Sequence, residues 1–278
     1  MEIKASDVKA LREKTGAGMM ECKKALQECN GDAKEAEKYL KEKGLAAVEK
    51  RANRATSEGI IVIKTTASKA VMAELTCETD FVAKNADFIA VGDKIAETAL
   101  EKGYTDVQQE LSDMVLDLAT RVRENMGLRR LTAVQAAGDE YIAHYVHSDK
   151  KTGAVVVLKS DKPDVLADKT LQEFAYDCCL HAAAFNPLYV RKDDVDQAYI
   201  DEQLEVFRGQ AAELDKPANV KEGIVKGKLN KHLAEICFLE QAFVKDDKVS
   251  VAAKMAEVGK QLGAKISLSK LILWQLGQ

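Results

Sequence analysis

Proline, aromatic residues and an excess of one charge sign are all scarce in this chain of 278 residues. Only 3 prolines are present to interrupt long helices, and an aromatic share of 5% argues against a many-stranded aromatic sandwich. Basic residues number 41 against 45 acidic ones, so a broad electropositive surface for nucleic-acid phosphates is not expected. No apolar run reaches the roughly 18 residues of a membrane span. We therefore expect a helix-rich protein with some sheet and no membrane association.

The N-terminus and the cysteines indicate the cellular compartment. The opening segment MEIKASDVKALREKTG lacks the basic start and apolar stretch of a secretory signal, and it carries acids that transit peptides avoid. The 6 cysteines show no paired C-x-x-C spacing that would indicate disulfides or zinc. Cys178, Cys179 and His181 form the one cluster, but adjacent helical positions point about 100° apart, which favours packing over a metal. The sequence therefore predicts a cytoplasmic protein without a metal or cofactor.

Three short helices are predicted at the N-terminus. Ser6 can cap the first, and Asp32 with Glu35 in capping-box spacing begins the third. Each helix is followed by a glycine, which readily takes the left-handed conformation at a helix end: Gly16, Gly31 and Gly44. The three-helix module covers residues 1–45. The charged segment 46–59 is predicted to be a linker, so we expect the module to move relative to the rest of the chain.

From Ile60 the pattern changes to strands rich in β-branched residues. IIVIKT and VMAELT predict a hairpin, which two amphipathic helices and a strand at LRRLTAV extend into a core subdomain over residues 60–138. A second hairpin at YIAHYVH and AVVVLKS, a helix to Asn186, and a final strand at KISLSKLILW that rejoins the core sheet predict another subdomain over 139–192 and 238–278. Two hairpin-plus-helix units in tandem indicate an α+β fold.

A helical insertion interrupts the second subdomain. Residues 193–237 are charged and helical, with a break at Asp215-Lys216-Pro217, which predicts a protruding antiparallel helical hairpin. Four of its apolar residues either pack within the chain or pair two copies of it: Leu204, Phe207, Leu229 and Leu233. The sequence leaves both alternatives open, so a homodimer is one of two interpretations.

No residue pattern for catalysis stands out. The run TGAGMMECKK has Cys22 where a Walker loop needs glycine, and it follows a helix instead of a strand, so this chain is not expected to bind a nucleotide. The 4 histidines have no recognisable Ser or Cys partner. His144 and His147 lie three residues apart in a predicted strand and therefore on opposite faces, which weakens a metal pair. We predict that the protein is not an enzyme.

Apolar residues at exposed positions are the main functional signal. Met19 and Met20 begin a short helix side by side, so both can hardly face the interior, and methionine is common on adaptable binding surfaces. Alternatively, one packs and the other is merely exposed. Phe81 follows Thr79 and Asp80 at a turn from strand to helix; an N-cap at Thr79 or Asp80 and a staple role for Phe81 would explain that turn without function.

Two motifs resemble the elongation factor Ts family of bacteria. VKALREKTGAGMMECKKAL begins at Val8, CETDFVAKN begins at Cys77, and the order of subdomains matches the family along nearly the whole chain. The resemblance implies a guanine nucleotide exchange factor of translation elongation. Such a factor binds elongation factor Tu in its GDP-bound and nucleotide-free states, displaces magnesium and promotes GDP release so that GTP can bind. It has no covalent chemistry or cofactor of its own.

The resemblance also implies roles for particular residues. The 1–45 module corresponds to a ubiquitin-associated-like domain that docks on elongation factor Tu. Magnesium dislocation from Tu is expected of Thr79, Asp80, Phe81 and Val82, with Phe81 as an apolar wedge. Partner contacts are expected of Arg12, Met19, Met20, Lys23 and His147. Some family members continue into a C-terminal helical module, and this chain ends at Gln278, so we expect that contact to be missing.

An RNA-binding or a redox function would need other signals. The best basic cluster, Lys50, Arg51 and Arg54, is short, and Arg129-Arg130 fits ordinary solvation of a strand. Cys77 lies beside the proposed wedge, but nothing in the sequence marks it as an activated thiol. Neither function is therefore predicted.

Overall fold

The computed structural model describes residues 3–278 and has an α+β fold, as the sequence predicts. The first two residues of the predicted 1–45 module lie outside this range. None of the helices described in residues 3–278 combines the length and apolar character that spanning a bilayer requires. The described chain divides into two compact units, each with its own three-stranded sheet.

The first unit consists of the chain up to Val134, Ser148–Lys151 and Gln275–Gln278. Its helices are α1 (Ala5–Thr15), α2 (Met19–Glu28), α3 (Ala33–Glu49), α4 (Asp80–Ala83), α5 (Ala86–Lys102) and α6 (Gln109–Val122). Its sheet has the order β1 (Glu58–Thr65), β2 (Lys69–Cys77) and β3 (Met126–Gln135). The predicted hairpin, the two amphipathic helices and the LRRLTAV strand are thereby confirmed.

Helix α5 packs closely on the first sheet. Phe88 and Ile95 of the helix are fully buried together with Leu75 of β2. Gly92, between them, allows the close approach, because a Cβ there would stand 3.0 Å from Cγ2 of Val62. This packing gives the first unit a rigid core beneath the end of β2.

The N-terminal helices begin and end mostly where the sequence predicts. Gly16 is left-handed at φ 70° after α1, and Asp32 caps α3 by accepting hydrogen bonds from the backbone of Lys34 and Glu35. The prediction for Ser6 is wrong: α1 begins at Ala5, and the Ser6 hydroxyl donates to its neighbour Asp7. Because Ser6 lies inside the first turn, its hydroxyl bonds to a neighbouring side chain and does not cap the start of the helix.

The predicted end of the third helix at Gly44 is also wrong, because α3 continues to Glu49. Gly44 lies inside the helix and faces α6, where an added Cβ would come within 2.8 Å of Cβ of Thr120. The glycine therefore serves close helix packing and not helix termination. As a result, residues 46–49 of the predicted linker are helical.

Arg129 and Arg130 do not simply face solvent, as the sequence predicted. Both bind the carboxylate of Glu74, which has no exposed surface: Arg129 Nη1 lies 2.8 Å and Arg130 Nε 2.6 Å from its oxygens. The backbone N–H of Gly277 donates a third bond at 3.0 Å. Burial alone would raise the pKa of Glu74, but these donors outweigh it and lower the pKa, so the carboxylate stays ionised.

The second unit consists of Gln135–His147 and Thr152–Trp274. Its main sheet has the order β4 (Glu140–Val146), β5 (Thr152–Ser160) and β8 (Ile266–Gln275), so the last strand rejoins a core sheet as predicted. Helix α7 (Lys169–Phe185) packs on β4 and β5, and α10 (Val251–Leu262) packs on α7. The short strands are β6 (Ala242–Phe243) and β7 (Asp246–Ser250).

The predicted helical hairpin consists of α8 (Gln197–Ala212) and α9 (Ala218–Ile236). The chain turns before Pro217, which cannot donate a backbone hydrogen bond and so suits the start of α9. Leu229 and Leu233 pack within the chain, in a cluster with Val195 and Cys237.

Cys178, Cys179 and His181 are packed into the core of the second unit. Both sulfurs are buried, and burial raises the pKa of each thiol. The Val244 backbone N–H donates to Nδ1 of His181 at 3.2 Å, so Nε2 carries the proton and donates to Oε1 of Gln241 at 3.0 Å. Because both ring nitrogens have protein partners, His181 is held as a neutral structural residue, and burial lowers its pKa.

Candidate partner-binding site

The TDFV segment, Thr79–Val82, consists of the N-cap and the first three residues of the short helix α4, which follows soon after the end of β2. Thr79 is its N-cap, and the Thr79 hydroxyl oxygen accepts a hydrogen bond from the backbone N–H of Val82 at 3.3 Å. Val82 and Ala83 are buried in the core of the first unit. Because successive helical side chains point about 100° apart, burying these two turns Phe81 outward.

Phe81 is the most exposed large apolar side chain in residues 3–278, with 83% of its surface accessible. The staple interpretation is therefore wrong for Phe81, whereas the N-cap interpretation is correct for Thr79. Leaving a phenylalanine in water forgoes roughly 1.5–3 kcal/mol of burial. The turn therefore presents a large aromatic ring that an apolar surface of a partner protein could bury.

Asp80 lies beside the exposed ring and is ionised. Its carboxylate binds Nζ of Lys84, one helical turn later, at 2.7 Å. This hydrogen bond is the main cause that lowers the pKa of Asp80, and the nearby charge of Lys151 adds to it. The TDFV segment therefore presents an apolar ring and an anion side by side.

Glu124, which the sequence did not mark as functional, binds the first residue of the TDFV segment. Its two carboxylate oxygens accept hydrogen bonds from the backbone N–H of Thr79 at 3.0 Å and from its hydroxyl at 2.7 Å. Bonds to an ionised carboxylate are about twice as strong as neutral ones. The only sequence signal is a polar Glu-Asn pair between a helix and a strand, which resembles an ordinary connection.

Cys77 belongs to the same support. Its thiol donates to the backbone oxygen of Thr79 at 3.3 Å. Burial, with help from the charges of Glu124 and Glu58, raises the pKa of Cys77 to about 12. At neutral pH the sulfur therefore stays a thiol, which argues against the redox function.

Met19 and Met20 begin α2 after the extended residue Gly18. Met19 is 44% exposed and Met20 74% exposed, so neither fills the interior of the module. That interior consists of Val8, Leu11, Cys22, Ala25, Leu26 and Ala36. The two methionines therefore form a second exposed apolar patch on the first unit.

Arg12 and Lys23 are also exposed, but they are arranged differently. Lys23 and Met20 line a cleft of about 1320 Å³ between α2, α3 and α6, which Arg12 and Met19 do not line. Lys and Arg outnumber Asp and Glu among the residues of this cleft. The cleft thus combines an apolar side chain with an excess of positive charge.

His147 belongs to the second unit and follows the end of β4 at Val146. Its side chain is exposed, and Nδ1 lies 2.8 Å from the hydroxyl of Tyr145. The Tyr145 ring in turn packs edge-on against Tyr176, with centroids 6.0 Å apart. His147 therefore lies on a small aromatic surface.

Comparisons with known proteins identify the family to which these features belong. A family model described as Elongation factor TS matches residues 78–278. A curated elongation factor Ts of Treponema denticola is 74% identical over 277 residues, covering 100% of this chain and 99% of that protein. Those of Treponema pallidum (strain Nichols) and Nitratidesulfovibrio vulgaris (strain DP4) are 60% and 39% identical; each alignment covers 100% of this chain and 99% or 97% of the relative.

Proposed function

Because the chain belongs to the elongation factor Ts family, we propose that it is the guanine nucleotide exchange factor for elongation factor Tu in its own cell. Members of this family are exchange factors of translation elongation and are not enzymes. The factor binds elongation factor Tu with GDP, displaces magnesium and promotes GDP release, after which GTP binds. It acts in the cytoplasm, where elongation takes place.

The observation that carries this proposal is the 83% exposure of Phe81 on a turn that Val82, Ala83 and Glu124 hold in place. An apolar wedge of this kind stabilises a shifted arrangement of helices in the partner. Magnesium neutralises the charge of the diphosphate, so its displacement weakens the hold on GDP without breaking a covalent bond. In this proposal Phe81 is the wedge, and the ionised Asp80 acts beside it near the magnesium.

Thr79 and Val82 have supporting roles in this mechanism. Thr79 caps the turn, and Val82 anchors it in the core, where only 8% of its surface is accessible. Neither side chain therefore has to touch the partner. Their task is to keep the Phe81 ring pointing outward.

The remaining assignments complete the proposed complex. The 1–45 module docks, as a ubiquitin-associated-like domain, on the nucleotide-binding domain of Tu through Arg12, Met19, Met20 and Lys23. Segment 46–59 connects it to the core. The subdomain of residues 60–138 carries the TDFV segment, and that of 139–192 and 238–278 contacts the third domain of Tu through His147. The hairpin 193–237 either packs alone or pairs two copies of the factor.

Thermodynamic linkage connects these contacts to exchange. The factor binds nucleotide-free Tu more tightly than Tu with GDP. By reciprocity, the factor must lower the affinity of Tu for GDP by the same ratio as GDP lowers the affinity of Tu for the factor. GDP and the factor therefore oppose each other on Tu, and the factor needs no nucleotide site of its own.

The test is the release of a fluorescent GDP analogue from purified elongation factor Tu in the presence of the protein. The proposal predicts release that becomes faster with increasing concentration of the factor and then saturates. Release at the spontaneous rate at every concentration would contradict it.

A further inference from the structure

Three consecutive residues after α6, Arg123–Asn125, bind three different parts of the first unit; we call them the REN segment. Helix α6 ends where Arg123 adopts a left-handed backbone at φ 66°. Such a conformation costs a non-glycine residue about 1–3 kcal/mol and persists only where the surroundings enforce it. The contacts of the REN segment supply that enforcement.

Arg123 contacts the helix that carries the exposed methionines. Its Nη2 lies 2.5 Å from Oε2 of Glu21, and the same oxygen accepts a hydrogen bond from the backbone N–H of Gly18 at 3.2 Å. Glu21 therefore closes the first turn of α2, in which Met19 and Met20 lie. This ion pair is exposed on both sides, so its contribution to stability is small, and its main effect is on position.

Asn125 contacts the chain as it leaves α3. Its side-chain amide donates to the backbone oxygens of Ala52 at 3.1 Å and of Arg54 at 2.7 Å. Its backbone N–H donates to Oε1 of Glu78 at 2.6 Å, which is the main cause that lowers the pKa of Glu78. Asn125 thus binds both the residue before the TDFV segment and the chain that leaves the three-helix module.

Glu124 lies between these two contacts and binds Thr79 through both carboxylate oxygens. Its two neighbours in the chain are also bound: the side chain of Arg123 pairs with Glu21, and the backbone N–H of Asn125 donates to Glu78. The carboxylate of Glu124 can therefore hold Thr79 in place. Since Thr79 caps the short helix α4, the position of the whole turn is fixed with it. A four-residue helix has too few internal hydrogen bonds to hold itself.

We propose that Glu124 is a positioning residue for exchange: held by Arg123 and Asn125, it fixes the TDFV segment so that Phe81 meets the partner in one orientation. This inference rests on the proposed exchange function and deepens it. An ordered wedge loses less conformational entropy when it inserts, so more of its contact energy acts on the partner. In this proposal Glu124 acts through Thr79 and needs no contact with the nucleotide or the magnesium.

The test compares Glu124→Ala with the matched control Glu110→Ala. Glu110 also accepts bonds from two side chains, Lys102 and Tyr104, but it lies in the first turn of α6. Fourteen residues of helix place it about 20 Å away from Glu124. Exchange is measured at increasing factor concentration, which separates the maximal rate of GDP release from the half-saturating concentration.

Because Glu124→Ala removes both hydrogen bonds to Thr79, we expect it to lower the maximal release rate at least tenfold and to change the half-saturating concentration less than threefold. Glu110→Ala should change neither. Amide hydrogen exchange of a peptide covering residues 78–84 should become faster in Glu124→Ala alone, because the amide of Thr79 loses its acceptor. A merely structural role would not confine faster exchange to this peptide.

Glu124→Gln keeps one acceptor oxygen and decides the case if Glu124→Ala does not fold. It should give an intermediate maximal rate. If wild type and Glu110→Ala accelerate release and the Glu124 variants do so equally well, the positioning role is overturned while the exchange function stands. If wild type itself fails to accelerate release, the exchange function is overturned, and the hydrogen exchange of residues 78–84 still reports whether Glu124 fixes the turn.

Discussion

Phe81 and Val82 are neighbours in one helical turn, yet 83% of the surface of Phe81 is accessible and only 8% of the surface of Val82. The contrast arises because Thr79 caps the turn and Val82 enters the core, which leaves Phe81 on the opposite side. One apolar residue of this turn is thus used for folding, and the proposed function assigns the other to binding.

Substitution of these two residues should therefore affect the free energy of unfolding to very different extents. Phe81→Ala should change the free energy of unfolding by less than about 0.5 kcal/mol, because the ring makes little contact with the core. Val82→Ala removes buried methyl groups and should destabilise the protein by about 1–3 kcal/mol. Denaturant titration of both variants checks this, and equal losses would mean that Phe81 packs in solution.

Met20→Asp should weaken binding to elongation factor Tu. The methionine is 74% exposed in the free protein, so folding should not suffer, but an aspartate would have to lose its hydration in an apolar contact. We expect the dissociation constant to rise at least tenfold, about 1.4 kcal/mol. Calorimetry can measure this, with Val107→Asp as a control at an exposed apolar position outside the proposed contacts. Unchanged affinity would remove Met20 from the interface.

Two helical glycines offer a matched pair for the packing of α3 on α6. Gly44→Ala would bring a Cβ within 2.8 Å of Thr120, so the helices must separate at a cost of about 1–3 kcal/mol. At Gly223, in α9, an added Cβ would meet no neighbouring element within 4 Å. Gly223→Ala should therefore stabilise the protein by about 0.5–1 kcal/mol. Thermal unfolding distinguishes the two, and stabilisation by both would show that α3 does not pack as described.

His181 should make the protein less stable in mild acid. Burial lowers its pKa in the folded state below the value of about 6.5 that it has when unfolded. The unfolded state therefore binds the proton first, and stability is lost as the pH falls below about 6.5, by at most about 1.4 kcal/mol per pH unit. His144, whose pKa burial also lowers, adds to this trend. His181→Gln should show a shallower pH dependence between pH 7 and 5.5, and an unchanged slope would contradict the assignment.

The elements that the sequence predicts well are those with local signals. Both hairpins follow from runs of β-branched residues, and the helical hairpin follows from the break at Pro217. The end of α3 could not be predicted, because Gly44 has the local appearance of a helix end and its real role depends on contact with Thr120. Glu124 was missed for the same reason: 45 residues separate it from Thr79, and no local pattern links the two.

The site shows a similar division. For Met19, Met20 and Phe81 the sequence left both exposure and packing open, and the structure shows that all three are exposed. The burial of Val82 beside Phe81 also required the structure. In the sequence Arg129 and Arg130 resemble solvated strand residues. The structure shows that both bind Glu74 of the neighbouring strand. Hydrophobic periodicity reports local secondary structure and therefore cannot predict polar pairs between residues far apart in the sequence.

The most direct test of the account is the rate at which a fluorescent GDP analogue leaves elongation factor Tu at saturating concentrations of wild type and of Phe81→Ala. Val107→Ala serves as the control for loss of an exposed apolar side chain. The account predicts that wild type and the control accelerate release equally and that Phe81→Ala still binds Tu but accelerates release at least tenfold less. Equal acceleration by all three proteins would contradict the claim that Phe81 is the wedge.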